Sequence, residues 1–168
     1  MKFLIVVDMQ VDFVSGALGS RKAEAILPRV VERVRDFDGT VIFTRDTHGA
    51  DYFDTQEGAK LPVLHCVKGT DGWQICAPLR PFAGTVVDKP TFGSIALPAL
   101  LEGYGEPIEA IELCGLCTDI CVISNAMLLK AAFPEARITV DSSLCAGVTP
   151  ERHETALAAM RAVQIEVR

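Results

Sequence analysis

The stretch KFLIVVD, Lys2 to Asp8, decides the fold. A continuous apolar run closed by a carboxylate suits a strand buried on both faces of a parallel sheet. It is far short of the ~20 apolar residues that span a bilayer. The pattern recurs in TVIFTRD (Thr40–Asp46), GTVVDK (Gly84–Lys89), IEAIELC (Ile108–Cys114) and ARITVD (Ala136–Asp141), with Val163–Val167 as a sixth strand. Between them the sequence has helical period. Pro28–Phe37 puts Val30, Val31 and Val34 on one face, with Pro28 in a first turn, and Ile95–Leu101 is a shorter candidate. Thr118–Ala132 is apolar nearly all round, as in a helix covered on both sides, and Thr149-Pro150 opens the last helix as N-cap and first residue. Strands alternating with helices imply parallel pairing through right-handed crossovers. The expected fold is a single α/β domain over 1–168, a three-layer α/β/α sandwich with a central, mainly parallel sheet of Rossmann-like topology. The long irregular stretch from Thr47 to about Pro81 is expected to be functional or to carry short helices of its own.

Composition narrows the function. At 168 residues, 49% of them hydrophobic and 23% charged, the chain is long and apolar enough for a full core. A formal charge of −6 without a block of Lys and Arg argues against nucleic acid or an anionic membrane as partner and favours a small molecule. Asp8 interrupts the first apolar run before a signal-peptide core could form, so a cytoplasmic location is expected. The six cysteines, in a chain this rich in core residues, are expected to be reduced.

Ligands of an open parallel sheet bind outside the carboxyl ends of its strands. Here those ends are Asp8, Asp46-Thr-His48, Lys89 and CGLCTDIC, Cys114 to Cys121. An acid, imidazole, a cation and thiols therefore converge on one rim. Any one of them alone is as well read as a turn or cap residue; their convergence is what points to chemistry. Thr118 is a good N-cap, which puts Cys121 in a first helical turn, where free N–H groups and the helix dipole favour a thiolate. Cys66, Cys76 and Cys145 read as buried structural thiols. A nucleophilic thiol needs a base that later returns the proton. His153 falls in the last helix and His48 and His65 flank the long loop, which leaves Asp8 as the base, with Lys89 as the cation that holds carboxylate and thiolate in place.

Asp8 within VVDMQVDF (Val6–Phe13), Lys89 within DKPTFGS (Asp88–Ser94) and GLCTDICV (Gly115–Val122) resemble the three signature segments of the isochorismatase-like cysteine hydrolases, which include nicotinamidases. The resemblance runs in the right order over almost the whole chain. It implies an Asp8, Lys89 and Cys121 triad, amide hydrolysis through a thioester, and a cis peptide between Leu116 and Cys117. The N–H groups of Cys117 and Cys121 would then form an oxyanion hole. Phe13, Leu116 and Cys117 would line the substrate. Family members that cleave an enol ether lack the cysteine, so Cys121 implies amidase chemistry.

The resemblance also implies one divalent transition metal and no organic cofactor. Asp46, His48 and His65 match the nicotinamidase ligands, and residues two apart on an extended segment face the same way. With no third histidine in the loop, Glu57 is the expected fourth ligand and Asp54 the runner-up; nitrogen and oxygen donors suit Zn, Fe or Mn. The tryptophan that nicotinamidases often carry before this histidine is replaced in LPVLH (Leu61–His65), and Trp73 is a candidate substitute. The expected partners are a small amide, nicotinamide first, and further copies of the chain in a homo-oligomer. Two readings compete. Cys114-Gly-Leu-Cys117 is a C-x-x-C at a strand-to-helix turn, as in thiol–disulfide oxidoreductases, and Cys114, Cys117 and Cys121 could be thought to hold a structural zinc.

Overall fold

The computed structural model describes residues 1–168. Six strands, β1 (Lys2–Val7), β2 (Thr40–Asp46), β3 (Val86–Lys89), β4 (Ala110–Leu116), β5 (Arg137–Ala146) and β6 (Glu166–Val167), form one sheet in the order β3-β2-β1-β4-β5-β6. Every neighbouring pair is parallel. The central strand β1 is buried from Phe3 to Val7 because helices cover both its faces, which explains its unbroken apolar run.

The helices are α1 (Val11–Val14), α2 (Arg21–Arg35), α3 (Gln56–Lys60), α4 (Ala96–Glu102), α5 (Ile123–Ala132) and α6 (Pro150–Ala162). The crossover from β1 to β2 runs one way along the sheet and those from β4 to β5 to β6 run the other. With right-handed connections, α2 therefore falls on one face and α5 and α6 on the opposite one. No helix is long and apolar enough to cross a membrane.

Several element boundaries differ from the sequence expectation; β5, for one, continues past Asp141 to Ala146. The first long helix begins at Arg21 rather than Pro28: the Ser20 side chain caps it by accepting from the Ala23 N–H at 3.1 Å, and Ala23, Ile26, Val30 and Val34 form its buried face. Pro28 sits mid-helix on the exposed side, where water can satisfy the carbonyl left without a donor. At the sheet edge β6 has only two residues, because Val163 ends α6. The helix expected from Thr118 starts with a wider π turn, Thr118–Val122, and continues as α5. Cys117 holds its N-cap position without a side-chain cap, while the Thr118 hydroxyl pairs with His153 Nδ1 at 2.8 Å. The stretch after Thr47 does carry short helices: α3 and the 3-10 turns Tyr52–Asp54 and Ala77–Phe82.

Gly115 is required where β4 passes β1. Its φ is +114°, and a Cβ there would lie 2.1 Å from the Val7 carbonyl oxygen. This close approach brings the segment after β4 alongside the end of β1.

Candidate active site

The strand order reverses between β1 and β4, and in open α/β sheets that switch point opens a crevice at the carboxyl edge. Asp8 follows β1 directly, with a left-handed φ of 48° that is uncommon for a non-glycine residue and typical of functional positions. It is fully buried. Its Oδ1 accepts the Thr44 hydroxyl at 2.7 Å. Its Oδ2 lies 2.7 Å from Lys89 Nζ, a fully buried ion pair.

Lys89, at the end of β3, donates to the Thr91 carbonyl at 3.0 Å and lies 3.5 Å from the Cys121 sulfur and 3.2 Å from Asp46 Oδ1. Cys121, in the π turn after β4, is 4% exposed. Asp8, Lys89 and Cys121, expected together, are thus brought together by three strand ends. The electrostatics differ from the simple helix-dipole expectation. Burial, reinforced by the Asp8 carboxylate, holds the Cys121 thiol well above the ordinary range against the pull of Lys89. Burial also raises Asp8, opposed by Lys89. Lys89 stays protonated: burial opposes its charge, but Asp8, Cys121 and Asp46 outweigh it and raise the ammonium. Burial thus works against charging Asp8 and Cys121 together, and Lys89 is the cation that offsets whichever of them is ionised.

Asp46, His48, Glu57 and His65 form a second cluster, with their potential ligand atoms all within 4.8 Å of one another. Asp46 Oδ2 is 3.0 Å from His48 Nε2 and 3.7 Å from His65 Nε2; Glu57 Oε1 is 3.7 Å from His48 Nε2 and 3.8 Å from His65 Nε2. His65 Nδ1 is 2.8 Å from the Val63 carbonyl, which fixes a proton on Nδ1 and turns Nε2 toward the carboxylates, the outer-shell contact typical of a metal-binding imidazole. Burial opposes the charge on Asp46, but the neighbouring imidazoles and Lys89 hold this carboxyl well below its usual range; Glu57 is raised by burial and by Asp46. His65 is raised: burial opposes, and Asp46 and the Val63 carbonyl prevail. Two imidazoles and two carboxylates, gathered and mostly buried, fit one divalent transition ion. Asp54 is not in this cluster; it is exposed on the 3-10 turn, whose geometry points Glu57 of α3 inward instead.

The other expected residues separate. The Phe13 ring lies 5.5 Å from the His65 ring, at the edge of the cluster. The peptide between Leu116 and Cys117 is cis. Leu116 is buried in the core, while Cys117 is half-buried and faces the same charges, Asp8 and Lys89, as Cys121. Trp73 is locked in place: its Nε1–H donates to the Thr47 hydroxyl at 2.8 Å and the Arg45 guanidinium lies 3.4 Å above its ring. The C-x-x-C does not form a redox pair, since Cys114 is buried within β4 and its burial raises the thiol far above its ordinary value. Nor do the three thiols gather around an ion site.

Four residues that the sequence did not single out fix this geometry. Gln10 is buried and clamps β2: its amide donates to the Asp46 and Trp73 carbonyls, both at 2.9 Å, and accepts from the Asp46 N–H at 2.7 Å. Asp12 accepts the Cys66 N–H at 2.8 Å, anchoring the loop beside His65. Tyr52 packs edge-on against both imidazoles, with centroids at 4.7 and 5.1 Å, and donates to the Leu61 carbonyl at 2.8 Å. Asn125 bonds the Cys121 carbonyl from α5. Polarity at a predicted strand or helix end flags Gln10 and Asp12, but their partners lie far along the chain.

A Rossmann-ordered sheet with a buried thiol, carboxylate and ammonium at its switch point defines a hydrolase of the α/β class. The chain belongs to the isochorismatase family, whose domain model matches residues 2–168. It is similar to the nicotinamidase/pyrazinamidase of Mycobacterium tuberculosis, 27% identical over 189 residues that cover 99% of this chain and 98% of that one. Among solved structures it resembles the pyrazinamidase of Pyrococcus horikoshii in complex with zinc, at a TM-score of 0.86 and 28% identity over 99% of this chain and 98% of that one. It also resembles the nicotinamidase of Bacillus subtilis, at a TM-score of 0.84 and 28% identity over the same shares.

Proposed function

We propose that the protein is a cysteine amidohydrolase that converts a small primary amide, nicotinamide first, to the acid and ammonia through a thioester. The observation that carries this reading is the buried Asp8 carboxylate, 2.7 Å from a Lys89 ammonium that itself lies 3.5 Å from the Cys121 sulfur. A carboxylate in that state is a base with a reason to take a thiol proton.

In the reaction, Asp8 Oδ2 takes the Cys121 proton and the sulfur attacks the amide carbon, forming the C–S bond. Lys89 offsets the negative charge as it passes from Asp8 to the reacting sulfur and oxygen, so Asp8 and Cys121 are not charged at the same time. The carbonyl oxygen gains charge and is met by the N–H groups of Cys117 and Cys121, at the start of the helical turn. Asp8 then gives its proton to the leaving nitrogen, the C–N bond breaks and ammonia departs. Water, losing its proton to Asp8, cleaves the thioester to the acid, and that proton returns to the Cys121 sulfur. Phe13 and Cys117 flank the bound amide. Asp46, His48, Glu57 and His65 would hold a divalent ion; when bound, such an ion supplies an electrophilic contact for a heteroaromatic ring nitrogen. A pyrazinamidase relative in complex with zinc supports that assignment.

The test is ammonia release from nicotinamide, pyrazinamide, benzamide, N-carbamoylsarcosine and ureidoacrylate. Preference for the two ring-nitrogen amides is expected. Indifference to the ring nitrogen, or turnover of carbamoyl compounds alone, would sink nicotinamide as the substrate while leaving the cysteine chemistry in place.

A further inference from the structure

We propose that Asn125 is a positioning residue that sets the separation between Lys89 and the Cys121 sulfur. This role presupposes the cysteine-hydrolase reading above and deepens it. Asparagine is a poor helix-interior residue, because its amide competes for backbone partners, yet here it stands inside α5 and is fully buried. Its amide is spent wholly on main chain. Nδ2 donates to the Cys121 carbonyl at 2.8 Å and to the Phe92 carbonyl at 3.2 Å, and Oδ1 accepts the Ser94 N–H at 2.9 Å.

Two of these partners belong to the segment that follows Lys89. Residues 90–93 make no backbone–backbone hydrogen bond, so no ladder or helix fixes them. They are held by Lys89 itself, through the Thr91 carbonyl, and by Asn125. The segment also runs close over α5: a Cβ on Gly93 would lie 2.8 Å from the Leu128 side chain and 3.3 Å from Ser124 Cβ. The contacts close a ring, from the Cys121 carbonyl through the Asn125 amide to Phe92 and Ser94, back along the chain to Lys89, and across 3.5 Å to the Cys121 sulfur. Asn125 is the one side chain in that ring that grips both the turn bearing the thiol and the strand end bearing the ammonium. Threonine there could still reach the carbonyl four residues back but not both strands of the bridge, and aspartate would accept from Ser94 while repelling two carbonyls.

The experiment compares wild type with Asn125→Thr, Asn125→Asp and Asn125→Ala. It follows Cys121 alkylation by iodoacetamide with peptide mass spectrometry, kcat and KM for nicotinamide, and thermal unfolding. For variants that remain folded, Cys121 alkylation should slow by about tenfold and kcat should fall by about ten- to a hundredfold, with KM within about threefold, since a misplaced reacting group costs rate rather than binding. Asn125→Thr, which keeps the bond inside the helix, is the variant expected to fold best. A folded variant with wild-type alkylation would overturn the role, as would a raised KM at unchanged kcat. If wild type released ammonia from no amide, the hydrolase reading would fail, while the alkylation rates would still decide whether Asn125 places the thiol beside Lys89.

Discussion

Asp46 faces Lys89 through Oδ1, at 3.2 Å, while its other oxygen lies 3.0 Å from His48, so one carboxylate belongs to both clusters of the site. Removing it should therefore do one thing that removing an imidazole does not: disturb Lys89 as well as the metal cluster. His48→Ala should lose bound metal, measured by elemental analysis of protein purified without chelator, from about one ion per chain. Asp46→Asn should lose the metal and also shift Lys89 toward its remaining anions, changing the Cys121 alkylation rate. Metal-free wild-type protein with full activity would remove the ion from the chemistry, and equal alkylation in the two variants would separate Asp46 from Lys89.

Cys121→Ala should lower amide hydrolysis by about a thousandfold or more, since no other group can form the thioester. Cys117→Ala should stay within about tenfold of wild type, because its N–H is kept and its thiol, which only flanks the amide, takes part in no bond-making step. Circular dichroism should be unchanged in both. Comparable rates in the two variants would disprove the assignment of the nucleophile.

The thiol titration gives a signed test. In wild type, burial and the Asp8 carboxylate raise the Cys121 thiol, and Lys89 lowers it. Asp8→Asn removes one raising influence and leaves the lowering one, so the pH midpoint for Cys121 alkylation should move down. Hydrolysis should nonetheless collapse, because the proton acceptor and donor is gone. A midpoint that rises would contradict the charge balance drawn for this pocket. Cys117 and Cys145, each pushed up to about 12 by burial, should label slowly at neutral pH in both proteins.

Gly115→Ala tests the close approach of β4 to β1. The left-handed backbone and the 2.1 Å meeting with the Val7 carbonyl leave no room for a methyl group. Chemical denaturation should show a loss of about 3 kcal/mol or more, or no folded protein. A loss under about 1 kcal/mol would mean that the two strands part easily.

Much of this site can be read from strand ends, because a parallel sheet delivers the residues that follow its strands to one edge. Asp8, Asp46, Lys89 and Cys121 are of that kind. Glu57 was accessible through the lack of a third loop histidine, but its preference over Asp54 depends on the turn into α3, which the sequence does not display. Gln10, Asp12 and Asn125 are hidden for another reason: their partners are main-chain groups, which carry no residue identity, at sequence separations such as 36 and 54, while Tyr52 is hidden because its contact with both imidazoles exists only once the loop is folded. The start of α2 was misplaced because Pro28 resembles a first-turn proline, while the weaker Ser20 cap marks the true beginning.

The reversal of strand order between β1 and β4 also divides labour along the chain. Everything charged in the site, from Asp8 through Lys89, comes from the half of the sheet that is synthesised first, and the thiol comes from the half that follows. Until β4 docks, one edge of β1 lies open and the acid, the ammonium and the cluster of Asp46, His48, Glu57 and His65 have no thiol beside them. A growing chain can thus assemble its electrostatic environment before it acquires reactivity, and the burial that restrains Cys121 arrives together with the residue itself.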